Sequence, residues 1–317
     1  HYFSHGYLAV DFFFMLSGFV IGYAYDDRRN SMSVGTFIKR RVIRLHPMVI
    51  VGALFGAVMF YGQGSEYLNV KSVPLALLAF ATLLNMLLVP AWSGVEVRGF
   101  GEIFPLNGPA WSLFFEYIAN LLYVLFIRKL STHRLALLVF AMAGALLGYA
   151  LTNESGTLGA GWTFANGGFW GGMLRMMFAF PAGLLLSRVS CKCNIRGAFW
   201  WCAMAIAAVA MAPRIGGEGQ LWANGLYEAL CVLVVFPLMV WLGASGQTTD
   251  ALSTRVCNFL GNISYPLYLT HFPLLYTCFA YAKRNNMPFC ETLPQILALI
   301  FACIALAWLC LRYYDVP

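Results

Sequence analysis

The stretch GYLAVDFFFMLSGFVIGYAYDDRRNSMSVGTFIKRRVIRLHP, Gly6 to Pro47, decides the fold of this chain. It begins as an apolar segment with a single carboxylate, Asp11, and then turns strongly basic. Six cations fall within one short loop: Arg28, Arg29, Lys39, Arg40, Arg41 and Arg44. Because short loops rich in Lys and Arg stay on the cytoplasmic side, this pattern predicts a membrane span followed by a cytoplasmic loop.

The composition of the whole chain extends this prediction. Of 317 residues, 61% are hydrophobic and only 10% are charged, whereas soluble globular domains carry about 25% charged residues. The net charge of +7 comes from short loops between apolar runs, so membrane topology accounts for it without a nucleic-acid partner. The alternating pattern of a membrane barrel is absent, and we therefore predict an all-α polytopic membrane bundle.

Nine apolar runs approach the length of about 20 residues that a span requires. They are 7–25, 47–61, 109–127, 135–151, 171–187, 198–212, 225–243, 258–281 and 294–311. The basic segments 28–44, 128–134 and 188–196 are predicted to be cytoplasmic, which fixes the direction of 109–127. An odd number of crossings must then lie between residues 45 and 107. One of the two apolar runs in this interval, 47–61 or 74–90, must therefore be re-entrant or lie flat, and we assign this to the tenth run, 74–90.

The same topology predicts which loops face outward. These are 62–73, 91–108, 152–170, 213–224 and 282–293. Two of them, 152–170 and 213–224, are rich in Gly, Trp and Asn. Such residues suit a sugar-binding rim, but Trp is equally typical of the membrane interface, and the sequence leaves both interpretations open.

Four motifs in order resemble those of the acyltransferase family 3 membrane proteins. They are GYLAVDFFFMLSGFVI, RRVIR, NGPAWSLFFEYIANLLY (107–123) and ISYPLYLTHFPLL (263–275). The family includes bacterial O-antigen and exopolysaccharide O-acetyltransferases. The resemblance implies O-acyl transfer, commonly of acetyl, from cytoplasmic acyl-CoA to a hydroxyl of a surface or periplasmic glycan.

The resemblance also sets expectations about partners and extent. It implies acyl-CoA as the donor substrate, no permanently bound cofactor, no metal, and a glycan or lipid-linked sugar as the acceptor. It implies a location in the bacterial cytoplasmic membrane, in contact with lipids, and one transmembrane acyltransferase domain over residues 1–317. In the family, a further helix with a catalytic His precedes the first motif, and we expect this sequence, which begins at His1, to lack it.

Arg41 and Arg44 are the candidate donor-binding residues. Three positions apart, they share one face of a helix. Membrane topology alone would explain arginines here, but the resemblance implies that the pair holds acyl-CoA. Guanidinium groups bind phosphate oxygens in a fork, which suits a polyanionic donor.

Two polar faces supply the remaining candidates within apolar helices. One face carries Ser112, Glu116 and Asn120, which recur every four residues and begin directly after Trp111. The second face carries Ser264, Tyr268 and His271. A lone Glu or His in a span is often structural, yet a polar stripe favours a cavity lining. We predict Glu116 and His271 as catalytic candidates, with Trp111, Ser112, Asn120 and Tyr268 lining the site.

Asp11 and Arg175 enter their spans near the predicted outer face. The sequence allows an ion pair between them, as a lock on the bundle or as a substrate contact, and both roles remain open. His1 is a weak substitute for the family's catalytic His, and His5 is predicted to lie in the connecting loop.

A different class of function is also compatible with the pattern. A transporter of a glycan or small organic anion would show polar stripes, Gly-rich segments and buried charges. Internal two-fold similarity would favour it, and none is visible in the sequence. A non-catalytic scaffold would leave Arg41, Arg44 and Glu116 unexplained.

Overall fold

The structure, a computed structural model, describes residues 4–28, 32–63, 73–190, 193–217, 219–247, 250–287 and 289–315. Within these ranges the chain is mainly helical, with irregular segments between the helices, an isolated bridge, and two paired two-residue strands, Ile195–Arg196 and Gly246–Gln247. The α-helices are α1 (Ala9–Tyr25), α2 (Val34–Gln63), α3 (Leu75–Met86), α4 (Ala110–Leu125), α5 (Thr132–Thr152), α6 (Gly168–Val189), α7 (Ala198–Met211), α8 (Leu221–Leu230), α9 (Phe236–Ala244), α10 (Ala251–Arg284) and α11 (Phe289–Cys310).

The predicted fold class is confirmed. Among the described residues, seven helical segments are long and apolar enough to cross a membrane. They are Gly6–Tyr25, Val34–Gln63, Ala110–Lys129, Thr132–Thr152, Ala165–Val189, Leu221–Ala244 and Thr292–Tyr314. The predicted spans 198–212 and 258–281 correspond to the shorter helix α7 and to the central part of α10. The protein is an all-α polytopic membrane bundle.

Helix α2 differs from the sequence-based expectation at its beginning. The basic residues from 39 to 44 were assigned to a loop, but the helix already begins at Val34 and includes them. Pro47 lies inside this helix. Proline is tolerated in a membrane helix where neighbouring groups satisfy the backbone carbonyls that it leaves free. The basic residues therefore project from a rigid helix rather than from a loop.

Helix α3 occupies the apolar run that was predicted to be re-entrant or flat. Its 12 residues span about 18 Å at 1.5 Å per residue, less than the ~30 Å thickness of the hydrocarbon core. The helix ends at Leu87 and Leu88, the latter with a positive φ of 52°. Its length agrees with a segment that does not cross the membrane by itself.

The chain forms two compact units, each described here by itself. Unit 1 comprises residues 1–38, 115–161 and 167–254, and unit 2 comprises residues 39–114, 162–166 and 255–317.

Unit 1 is built on a close crossing of α1 and α6. A Cβ atom on Gly18 would collide with the Phe180 carbonyl, and one on Gly183 would collide with the Met15 carbonyl. Small residues let two membrane helices bring their backbones together, which replaces the hydrophobic driving force that lipid does not provide. This crossing positions Asp11 of α1 beside Arg175 of α6.

Charged residues meet at one end of unit 1. Arg188 donates to both carboxylate oxygens of Asp26, at 2.5 and 3.2 Å, and to the Leu130 carbonyl at 2.8 Å. Arg128 donates to the Met32 carbonyl at 2.9 Å. The three segments predicted to be cytoplasmic thus gather at the end of α1 that lies away from His5, as their common topology requires.

Unit 2 packs α2 against α3 and the irregular segment 87–109. Its buried apolar cluster is formed by Phe60, Leu78, Ala81, Leu84, Ala91, Val95, Val97 and Leu106. Gly56 lies against the Leu106 carbonyl and Gly52 against Asn107, so a side chain at either glycine would push this segment away from α2. The segment therefore lies along the last turns of α2, remote from the basic residues.

Candidate functional site

The ion pair between Asp11 and Arg175 is present and buried. Arg175 donates from Nε to Asp11 Oδ1 at 2.9 Å and from Nη2 to Oδ2 at 2.6 Å. Its remaining donors bond to the Ala160 carbonyl at 2.6 Å and the Tyr7 carbonyl at 3.0 Å. A fork-like pair with these additional bonds is the geometry that compensates two buried charges. The pair joins α1 to α6, and a contact with substrate remains a prediction.

A second polar network in unit 1 centres on Glu228 of α8. The carboxylate accepts from the Tyr7 hydroxyl at 2.5 Å and from the Leu158 amide at 2.6 Å. Asn224, one turn earlier, donates to it at 2.6 Å. Glu228 therefore acts as the hydrogen-bond acceptor to which these donors converge.

His5 completes this network. Its Nδ1 lies 3.0 Å from the Ala212 carbonyl and its Nε2 lies 3.0 Å from Asn224 Oδ1. Because Asn224 turns its amide nitrogen toward Glu228, its oxygen faces His5. Both ring nitrogens then face acceptors, and Glu228 Oε1 lies 3.5 Å from Nε2. The imidazole thus links the Ala212 carbonyl to Asn224 and Glu228.

The sequence did not single out Glu228 or Asn224. Their spacing of four residues on a helix was a usable local signal, but Tyr7 and His5 lie more than 200 residues away along the chain. His5 does precede α1, as predicted for a connecting-loop residue, yet it is 1% exposed. The network pins the beginning of α1 to α8.

The polar stripe of α4 is buried: this holds for all three of its side chains, Ser112, Glu116 and Asn120. In unit 1, Glu116 accepts from Ser17 of α1 at 2.5 Å and from the Asn120 side chain at 2.9 Å. The Asn120 side chain also donates to the Glu116 carbonyl at 2.7 Å. Glu116 is thus held by hydroxyl and amide donors. Its catalytic role remains a prediction.

In unit 2, the start of the stripe meets α10. The Ser112 and Tyr268 hydroxyls lie 2.6 Å apart, and both bond to the Pro109 carbonyl, at 3.1 and 3.2 Å. Trp111 is buried beside Ser112 in the first turn of α4. Two residues from distant motifs, both predicted to line the site, are therefore joined directly.

His271 lies on the same helix one turn beyond Tyr268. Its Nδ1 is 2.9 Å from the Leu267 carbonyl, and a carbonyl can only accept, so Nδ1 carries the hydrogen. In the neutral ring, Nε2 then holds a lone pair, and no described residue donates to it. A histidine oriented in this way can accept a proton.

An open cavity of about 460 Å³ lies beside this histidine, between α10 and α11. Its lining is apolar apart from three side chains, Ser264, Tyr268 and His271, the residues whose spacing predicted a common polar face. Its volume lies within the range of roughly 300–1,000 Å³ that is usual for ligand sites. Among the described residues, the predicted face of α10 thus lines a cavity of ligand size.

Arg41 and Arg44 lie three residues apart on the first turns of α2, with Arg44 exposed and Arg41 partly buried. The Tyr265 hydroxyl of α10 bonds to the carbonyl of Leu45, the residue after Arg44. This contact fixes the end of α2 that carries the pair beside the helix that carries His271. The remaining catalytic candidate, His1, lies outside the described residues.

Comparison with known proteins shows which family the chain resembles along its length. The family model described as an acyltransferase domain matches residues 1–312. Protein 2 in the picA locus of Rhizobium radiobacter is 32% identical over 157 residues, covering 45% of this chain and 78% of that protein. Acyltransferase MdmB of Streptomyces mycarofaciens is 25% identical over 289 residues, covering 87% of this chain and 70% of that protein. No solved structure shows a significant match.

The family match extends over both compact units and over every motif that carries the candidate residues. Its span, together with the membrane bundle and the polar face of α10, identifies the chain as a member of acyltransferase family 3, the membrane acyltransferases.

Proposed function

We propose that this acyltransferase moves an acyl group, specifically acetyl, from cytoplasmic acetyl-CoA to a hydroxyl of a surface or periplasmic glycan in the bacterial cytoplasmic membrane. The observation that carries the proposal is the contact between Tyr265 and Leu45. It brings the Arg41–Arg44 pair next to the helix with His271. His271 lies six residues beyond Tyr265, or about 9 Å along α10.

In this proposal, Arg41 and Arg44 hold the phosphate groups of the donor. Both guanidinium groups lie at the end of α2 predicted to face the cytoplasm, where CoA is found. Their spacing lets two forks approach one polyphosphate from the same helix face. The donor's thioester arm then extends along α10 toward Tyr268 and His271.

His271 is proposed as the general base. A sugar hydroxyl is a weak nucleophile at neutral pH, so its proton must be taken as it attacks. The proton moves to Nε2, the hydroxyl oxygen bonds to the thioester carbonyl carbon, and the carbon–sulfur bond breaks. The proton then passes to the departing CoA thiolate, which leaves His271 neutral and the products an ester and CoA.

Donor binding provides the first test. Arg41→Ala and Arg44→Ala should each weaken acetyl-CoA binding roughly tenfold to a hundredfold, because each loses a charged hydrogen bond worth about 1.5–3 kcal/mol. Isothermal titration of the purified protein measures this. Lys39→Ala is the matched control, since it removes a charge from the same end of α2 but from a different face. Equal affinities in all three variants and the unaltered protein would leave the pair with a topological role only.

Turnover provides the second test. Membranes supplied with radiolabelled acetyl-CoA should form alkali-labile acetyl esters on the surface glycan, and His271→Asn should slow this by about a hundred- to ten-thousandfold. Asparagine can still donate to the Leu267 carbonyl but cannot take up a proton. His133→Asn, a change in the first turn of α5, is the control. A normal rate in the His271 variant would assign the base elsewhere, with Glu116 the next candidate.

A further inference from the structure

We propose that unit 2 binds the saccharide part of the acceptor on an aromatic platform beside Glu102. The platform consists of four exposed rings, Trp92, Phe100, Trp162 and Phe164. This inference rests on the proposed function, because it names the site that would present the glycan hydroxyl. It assigns a role to the segment 87–109, for which the sequence predicted only an outward-facing loop.

Backbone hydrogen bonds assemble the platform from three separate segments. The Ala91 amide donates to the Ile103 carbonyl at 2.8 Å, and the Ile103 amide donates to the Trp162 carbonyl at 2.9 Å. Glu102 and Thr163 form an antiparallel bridge. These bonds hold the strand-like pieces side by side, and the segments that carry the four rings are therefore neighbours although they are distant in sequence.

The rings are exposed although the pieces that carry them are anchored. Their exposed fractions lie between 40% and 52%. The Trp92 ring makes an edge-to-face contact with the Phe80 ring of α3, and the two ring centroids are 6.2 Å apart. The platform is thus a fixed apolar surface, which suits the apolar faces of sugar rings.

Glu102, which is bridged to Thr163, supplies a polar group on these paired segments. The Tyr276 hydroxyl of α10 approaches both carboxylate oxygens, at 2.6 and 2.7 Å. A hydroxyl has only one hydrogen to give, so the carboxylate keeps most of its acceptor capacity for sugar hydroxyls. Burial raises the pKa of Glu102 to about 7, against the opposing effects of the Tyr276 hydrogen bond and the Arg98 charge.

Arg98 lies behind Glu102 and has an unused donor. Its guanidinium stacks over the Tyr276 ring at 3.8 Å and the Phe60 ring at 5.0 Å. Its Nε donates to the Pro105 carbonyl, and its Nη1 lies 3.4 Å from Gln63 Oε1. Its buried Nη2 has no hydrogen-bond partner among the described residues. A buried donor without an acceptor among the described residues is a group that an oxygen of a bound molecule would satisfy.

A saccharide fits this combination better than the other occupants of such a surface. The interfacial belt of membrane proteins is made mainly of Trp and Tyr, whereas two of these four rings are Phe and a carboxylate, Glu102, lies on the same paired segments. That carboxylate also opposes a phosphate headgroup through like charge. Ligand sites typically combine aromatic walls with a few placed polar groups, and hydroxyl-rich ligands match both parts.

Saturation-transfer NMR on the full-length protein in detergent tests the site. The probe is the soluble glycan released by mild acid from the surface of the expressing cells. The unaltered protein should transfer saturation to the sugar protons. Trp162→Ala and Glu102→Gln should each weaken binding about tenfold to a hundredfold, since each removes a ring face or a charged acceptor.

Trp222→Ala is the matched control, because Trp222 is 52% exposed in another predicted outward-facing region but lies outside the platform. It should bind the probe normally. Equal binding by the Trp162 and Trp222 variants, or no saturation transfer to the unaltered protein, would overturn the proposal and return the rings to the interfacial belt. Acetyl-CoA titration of the same samples separates the two proposals, and binding of either ligand shows that a variant is folded. Intact donor binding without glycan binding contradicts only the platform, and glycan binding without donor binding contradicts only the donor chemistry.

Discussion

Unit 1 and unit 2 each bury an arginine that is 1% exposed, and they satisfy it differently. Arg175 of unit 1 faces Asp11 in a fork and bonds to two carbonyl groups as well. Arg98 of unit 2 stacks between rings, makes one close carbonyl bond, and leaves Nη2 without a described partner. The first arrangement cancels a charge inside the protein, whereas the second holds a charge that is incompletely satisfied.

The difference separates a buried arginine that stabilises the helix bundle from one that keeps a donor available for a ligand. Satisfied buried networks lock helices together, as the Asp11–Arg175 pair does for α1 and α6. A buried donor without a described partner, such as Nη2 of Arg98 in unit 2, is expensive to maintain unless another molecule completes it.

The largest effect should come from breaking the satisfied pair. Arg175→Met leaves the Asp11 carboxylate buried without its partner and should lower the free energy of unfolding by about 3–5 kcal/mol. Unfolding by SDS in mixed micelles measures this. The double variant Asp11→Asn with Arg175→Met should recover part of the loss, because no buried charge remains. A loss below about 1 kcal/mol in the single variant would mean that water reaches the pair.

A smaller effect should follow from pH at Glu102. Because its folded-state pKa is raised to about 7, the folded protein holds this proton more tightly than the unfolded chain does. Stability from this group is therefore complete below the unfolded pKa of about 4.3 and declines as the pH rises to about 7, by roughly 2–4 kcal/mol. SDS unfolding between pH 4.5 and 8 should show the decline, and Glu102→Gln should reduce it. An unchanged pH profile in that variant would contradict the assignment.

The smallest effect should come from the incompletely satisfied arginine. Arg98→Met removes stacking on Tyr276 and the bond to Pro105, but it leaves no carboxylate in direct contact without its partner. It should therefore cost only about 1–2 kcal/mol. The same substitution at positions 98 and 175, measured under identical conditions, tests the comparison directly. Equal losses of unfolding free energy would show that the two arginines contribute equally to stability. The functional contrast drawn between them would then be wrong.

Much of the membrane fold followed from local pattern. Apolar runs of sufficient length predicted the spans, and the run at 74–90, predicted not to cross, forms a helix of only 12 residues. The one local error was the beginning of α2, where charged residues suggested a loop although the helix continues through them. A run of charged residues indicates where a segment leaves the membrane. The hydrogen bonds of a helix can continue past that point into water.

Local spacing also predicted which side chains share a face. Ser112, Tyr268 and His271 were expected to line a site, and the structure joins the first two and places the other beside a cavity. The spacing of Arg41 and Arg44 placed them on one face of α2 in the same way. What spacing could not supply was the partner of each group, since it describes one helix at a time.

The sequence by itself determined the membrane bundle, the family motifs and the polar faces, because these depend on the order of residues within one helix or loop. Only the tertiary structure decided that Glu228 gathers Tyr7 and His5, and that Glu102 receives Tyr276. These contacts join residues that lie far apart in the sequence. Glu102 and Tyr276 are separated by 174 positions, and His5 and Glu228 by 223. Such pairings depend on how helices pack, which is set by close approaches such as Gly18 against Phe180 rather than by local periodicity.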